Sequence, residues 1–145
     1  LGLNIKMGIE STPGSGIGLF ILRLFAGLRI VYGVVDNVVS SEKMEEFAVF
    51  LAHFHFPVPH ISAVVSVYVQ LVCGILIFVG YKTRWASVLL SLNFLVAIFM
   101  VHIPNGDSIE ATTPALALLA IALCLIFTGS GRYSVDYLLK EKKSK

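Results

Sequence analysis

The sequence predicts an all-α fold: a four-helix transmembrane bundle of up-down-up-down topology, with a short interfacial helix between helices one and two. Three observations carry that expectation. The chain is 57% hydrophobic and only 14% charged, with a mean hydropathy of +0.86, a composition of membrane spans and not of a water-soluble core. Four apolar stretches, at 17–39, 61–80, 85–103 and 113–128, come close to the roughly 20 residues that an α-helix needs to cross a ~30 Å hydrocarbon core. Short connections at 81–84 and 104–112 join the second span to the third and the third to the fourth, as antiparallel neighbours require.

Taken in order, residues 1–16 read as a flexible lead that closes with Pro13-Gly14-Ser15-Gly16. These glycines lack the Lys-Ser/Thr pair and the preceding strand of a phosphate loop. The first apolar stretch has no small-residue cleavage site and is full length, so it reads as a span and not as a signal peptide. Residues 17–139 then form one membrane domain, and 140–145 a basic tail.

The first span is expected to organise the bundle, because it carries Arg23, Arg29, Asp36 and Asn37. A charge near the bilayer centre costs about 2.5–3.5 kcal/mol on insertion scales, so such residues normally pair, face a bundle interior or mark a ligand path. Counted from Ile17 at ~1.5 Å per residue, Arg23 lies roughly 9 Å in, Arg29 roughly 18 Å and Asp36 roughly 28 Å. Arg23 can snorkel to the near interface. Arg29 and Asp36, seven residues apart, share a face and need a ligand, a water or another helix to join them; packing by interhelical hydrogen bonds alone is the competing reading.

Between the first two spans, Phe47, Phe50, Leu51 and Phe54 recur at helical spacing, which predicts the short helix along the membrane surface, ended by Pro57 and Pro59. His53, His55 and His60, with His102 at the end of span three, form a weak alternative metal-ligand set; interfacial packing accounts for them as well. Cys73 and Cys124 stand apart inside apolar runs and read as small buried hydrophobes.

Basic residues set the topology. Lys82 and Arg84 follow span two, and Arg132, Lys140, Lys142, Lys143 and Lys145 follow span four, on the same side as Lys6. Only Lys43 lies opposite, beside three glutamates. Both termini are therefore expected in the cytoplasm, with the protein in a bacterial-type inner membrane. Depth along alternating helices pairs Arg23 with Asn93 near the cytoplasmic face, Arg29 with Gln70 near mid-membrane, and Asp36 with His102 near the outer face. Gln70 is thus the expected partner of Arg29, with Asn93 in the same polar seam, unless both amides glue helices elsewhere.

Leu22-Arg23-Leu24 with Gly27, Gly74, Gly80-Tyr81-Lys82-Thr83-Arg84, His102, Glu110 and Gly129-Ser130-Gly131-Arg132-Tyr133-Ser134-Val135-Asp136 together resemble the DoxX family of membrane proteins. The resemblance implies four membrane helices and a loose link to respiratory or quinone-dependent redox systems. Gln70 stands where relatives often carry glutamate and Asn37 where they carry lysine, so no mid-membrane proton-transferring carboxylate is implied. The terminal motif reads as structural: Gly129 and Gly131 stop helix four, Arg132 meets carbonyls or lipid phosphate, and Ser134 caps a short segment that begins at Val135 and contains Asp136. Gly80, Thr83 and Arg84 read as a turn that anchors helix three.

Two functional expectations follow. One is a quinone-linked or redox-associated subunit that acts with a partner protein, Arg29, Gln70 or Tyr32 supplying donors to the quinone. The other is a non-enzymatic membrane module that binds a lipid or small amphiphile or serves as a scaffold. No intrinsic cofactor motif and no nucleic-acid-binding pattern is present; oligomerisation and enzyme activity are left open.

Overall fold

The computed structural model describes residues 13–144. Most of the expected N-terminal lead, with Lys6, and the terminal Lys145 lie outside the described residues. Six helices follow in order: α1 (Pro13–Val39), α2 (Ser41–His53), α3 (Pro59–Val79), α4 (Thr83–Asn105), α5 (Ile109–Thr128) and α6 (Val135–Lys143). α1, α3, α4 and α5 are long and apolar enough to cross a membrane. They alternate in direction. The end that holds the α3–α4 turn and α6 is termed basal, the end that holds α2 apical.

Each span is longer than the apolar run that announced it, because polar residues and prolines extend the helix ends. α1 starts at Pro13 and not at Ile17, so Pro13-Gly14-Ser15-Gly16 is its first turn and not part of a lead. Proline suits that place, since its missing N–H would have no intrahelical partner there. Pro59 opens α3 in the same way. Ser108 caps α5 by accepting from the Ala111 amide, and residues 109–112 form a first turn ahead of the apolar run. α4 continues past Ala97 through a π-type turn at Ile98–His102.

In the bundle α1 lies against α3, α3 against α4 and α4 against α5, while α5 barely touches α1. The α1–α3 crossing is close because two glycines meet there. A Cβ on Gly27 would stand 2.8 Å from the Gly74 carbonyl oxygen and 2.7 Å from the Phe78 Cβ. Lipid tails are as apolar as leucine, so packing of this kind, and not hydrophobic expulsion, joins membrane helices. Arg23, Ala26, Ile30 and Val34 form the buried stripe of α1. Cys73 is buried in this core, whereas Cys124, contrary to expectation, is exposed on α5.

α2 folds back over the apical end. It buries Met44, Ala48 and Leu51 against Val34 of α1, Ala63 and Val67 of α3 and Val101 of α4. Phe50 stays exposed and contacts Phe47 and Phe54, with ring centroids 6.4 and 5.1 Å apart. Ser40 caps the helix, and Asn37 Nδ2 donates to the Lys43 carbonyl at 3.0 Å, fixing the α1–α2 corner.

Candidate functional site

Polar side chains gather in two places, a basal knot and a lateral groove. The knot starts from Arg23, which is 1% exposed despite its charge. Its Nη2 donates to the Tyr133 carbonyl oxygen, and its guanidinium lies 5.9 Å from the Phe20 ring centroid. Arg23 therefore runs towards the near end, as its lean allows, but ends inside protein and not at the lipid boundary. The α3–α4 turn makes room for it: Gly80, at φ 75°, has no side chain where the guanidinium sits.

The same turn is tied to the C-terminal motif. Asp136 accepts from the Lys82 amide at 2.8 Å and the Thr83 amide at 3.2 Å, so its carboxylate caps α4 from 53 residues away. The Asp136 amide donates to the Gly80 carbonyl at 2.9 Å. Ser134 caps α6, its hydroxyl accepting from the Tyr137 amide at 3.2 Å and donating to the Gly131 carbonyl at 2.7 Å. Gly129 and Gly131 both have positive φ at the end of α5. The carbonyl partner there is Arg84 and not Arg132: Arg84 Nη2 donates to Phe127 O at 3.3 Å, while Arg132 is exposed.

The groove, of about 560 Å³, runs between α3 and α4 from mid-bundle to the apical end, under α2. Its walls are apolar, with Phe47, Phe50 and Phe56 at one side and Leu89, Leu92 and Phe94 at the other. A polar row crosses it: Gln70 Nε2 donates to Ser66 Oγ at 3.2 Å, and Ser66 Oγ donates to Asn93 Oδ1 at 2.9 Å. One N–H of Gln70 and both of Asn93 have no partner among the described residues. At the apical mouth, His102 Nδ1 donates to Asp107 Oδ2 at 2.7 Å, and Asn105 Nδ2 to Asp107 Oδ1 at 2.6 Å. These hydrogen bonds, that from His102 first, hold the Asp107 carboxyl below its ordinary value.

The expected Arg29–Gln70 pair does not form. At about 100° per residue, Arg29, Tyr32 and Asp36 lie some 120–180° around α1 from the buried Arg23 stripe. All three are exposed on the outer surface of the bundle, Tyr32 at 78%, and the Arg29 guanidinium lies along its own helix beside Gly33. Arg29 and Asp36 do share a face, but an outward one. Asn93 likewise stands apart from Arg23, in the groove. The histidines disperse: His53 and His55 are exposed, His60 Nε2 is 3.6 Å from Glu45, and His102 holds Asp107. Among the described residues no three potential ligands cluster as a metal would need. Sequence reasoning places Asp107 on the same face as the histidines but does not make it a site residue, and it misses Ser66, for which the i, i+4 spacing to Gln70 was the signal available.

A family model named DoxX matches residues 18–103, which contain most of α1, all of α2 and α3, nearly all of α4 and the groove's polar row. The chain belongs to the DoxX family. A relative from Haemophilus influenzae, described as an uncharacterized protein, is 28% identical over 134 residues, covering 88% of this chain and 87% of its own. No solved structure matches. With its four apolar helices this DoxX protein is a multi-pass membrane protein.

Proposed function

We propose that this DoxX protein holds a quinone-type amphiphile in the lateral groove, as the membrane subunit of a redox pair whose electrons come from a partner protein. The observation that carries this reading is the Gln70–Ser66–Asn93 row set between apolar walls. A ligand site of this kind is mostly apolar with a few placed polar groups, and a volume of about 560 Å³ lies in the usual range. The donor set fits a ring with two carbonyl oxygens: the unspent amide N–H groups of Gln70 and Asn93 would donate to them, and the phenylalanines would cover the ring. A bound quinone supplies two-electron, two-proton chemistry. His102, held by Asp107 at the groove mouth, would bind or release a proton at Nε2. We further propose a bacterial-type inner membrane with the basal end cytoplasmic, because Lys82, Arg84, Arg132 and Lys140 all stand at that end.

The groove also suits a non-enzymatic module for another amphiphile, since its donors are neutral amides that accept many head groups. The test is quinone and lipid extraction, with native mass spectrometry, on gently purified protein and on Gln70→Leu, Asn93→Leu and Arg29→Leu. Quinone retained by the wild type and Arg29→Leu but lost from the two groove variants is the expected result. A folded wild type that retains another amphiphile and no quinone favours the second reading, and equal retention in all four overturns the groove as the site.

A further inference from the structure

A second cavity, of about 780 Å³, opens at the basal end between the first turn of α1, the start of α4, the Gly129–Arg132 turn and α6. Four basic side chains border it, Lys82, Arg84, Arg132 and Lys140, against one carboxylate, Asp136. That carboxylate is already engaged by the Lys82 and Thr83 amides at the positive end of α4. The cations are not neutralised from within. Arg84 uses one N–H on Phe127 O and turns its Nε towards Gly129, where an added Cβ would lie 3.2 Å away. Arg132 and Lys140 are exposed and have no ion-pair or hydrogen-bond partner among the described residues. The turn that carries Arg132 is itself held in place, because Gly131 packs on Leu19 of α1, an added Cβ standing 3.2 Å from its side chain.

Beside the cations stand apolar groups. Leu19 and Trp85 border the same cavity, and Trp85 is 74% exposed at the first turn of α4, the depth at which tryptophan marks a membrane boundary. A guanidinium pair presents planar forks that match phosphate oxygens, and lysines add point charge. We infer that this basal cavity is a binding site for the phosphate head group of an anionic phospholipid, gripped by Arg84, Arg132 and Lys140, with Leu19 and Trp85 against the start of its acyl chains. Phosphate is the chemistry recognised; the apolar rim at membrane depth favours a lipid over a soluble phosphate as its source. The site is separate from the groove and does not depend on the groove's ligand.

The test reconstitutes the full chain in nanodiscs of equal phosphatidylglycerol and phosphatidylcholine and reads the lipid retained on release into native mass spectrometry. The wild type should retain phosphatidylglycerol preferentially. In the double variant Arg132→Gln with Lys140→Gln, retention should fall about tenfold or more. Both side chains are exposed, so the unfolding temperature should stay near that of the wild type, and the charge-keeping pair Arg132→Lys with Lys140→Arg should retain the lipid. Lys142→Gln with Lys143→Gln, outside the cavity, should change little. An equal fall in both neutralised pairs would reduce the effect to diffuse surface charge and overturn the site. Tight retention of inorganic phosphate with no preference for phosphatidylglycerol would overturn the lipid as its occupant.

Discussion

The guanidinium of Arg23 occupies the space that a side chain on Gly80 would need, so a buried cation in α1 and a bare backbone at the end of α3 define one another. Gly80→Ala adds both an overlap with that guanidinium and a side chain at φ 75°. Thermal unfolding in detergent should show a loss of about 1–3 kcal/mol. Combined with Arg23→Ala, which empties the space, the two substitutions should couple by about 0.5–3 kcal/mol. Strict additivity would contradict the relationship.

Asp136 binds the start of α4 to the C-terminal segment through two amides. Asp136→Ala should cost about 1 kcal/mol, as loss of a helix N-cap does. Hydrogen exchange should quicken at Lys82 and Thr83 while α1 and the middle of α3 keep their protection. Unchanged exchange at those two amides would remove the carboxylate from its capping role.

Two glycines of α1 should respond in opposite senses to alanine. At Gly27 a Cβ meets backbone of α3 at 2.8–2.9 Å, and neither helix can yield without separating. Gly27→Ala should lower stability by about 1–3 kcal/mol. At Gly33 the only neighbour is the far end of the Arg29 side chain at 3.0 Å, which can swing aside. Gly33→Ala should be neutral or stabilising by up to about 1 kcal/mol, through the higher helix propensity of alanine.

Acid should loosen the apical mouth before the core. The Asp107 carboxyl is held below its ordinary value by the hydrogen bonds from His102 and then Asn105. A depressed carboxylate stabilises the fold in full above its unfolded pKa of about 3.9 and loses that contribution as pH falls through the lowered folded value. Unfolding followed from pH 6 downward should therefore show an acid-dependent loss that Asp107→Asn lacks; parallel curves for the two proteins would refute it.

How far the sequence could be read depended on the range of each signal. Apolar length located the spans, and the local Ser134–Tyr137 cap was visible in the order of residues. The tie from Asp136 to the Lys82 and Thr83 amides was not, because it closes over more than 50 residues. Arg29 was assigned to Gln70 on depth alone. Depth follows from counting along the helix, but facing needs a contrast between inner and outer residues. In a membrane helix that contrast is weak, since Phe25, Leu28 and Tyr32 on the outside are as apolar as Ala26, Ile30 and Val34 within. Only the buried Arg23 broke the symmetry.

The π-type turn in α4 acts as an angular adaptor. Nine residues separate Asn93 from His102, and in an uninterrupted α-helix they would turn through about 900°, placing the two on opposite sides. A π turn absorbs one extra residue, which brings the rotation back to about 800°, so that both border the same groove. One span thus holds two phases, the basal one aiming the amide and the apical one the imidazole. Deleting a single residue between Ile98 and Val101 would leave eight steps of regular α-helix, about 800°, between the amide and the imidazole, so the span would lose its π-type turn and keep the imidazole on the same chamber.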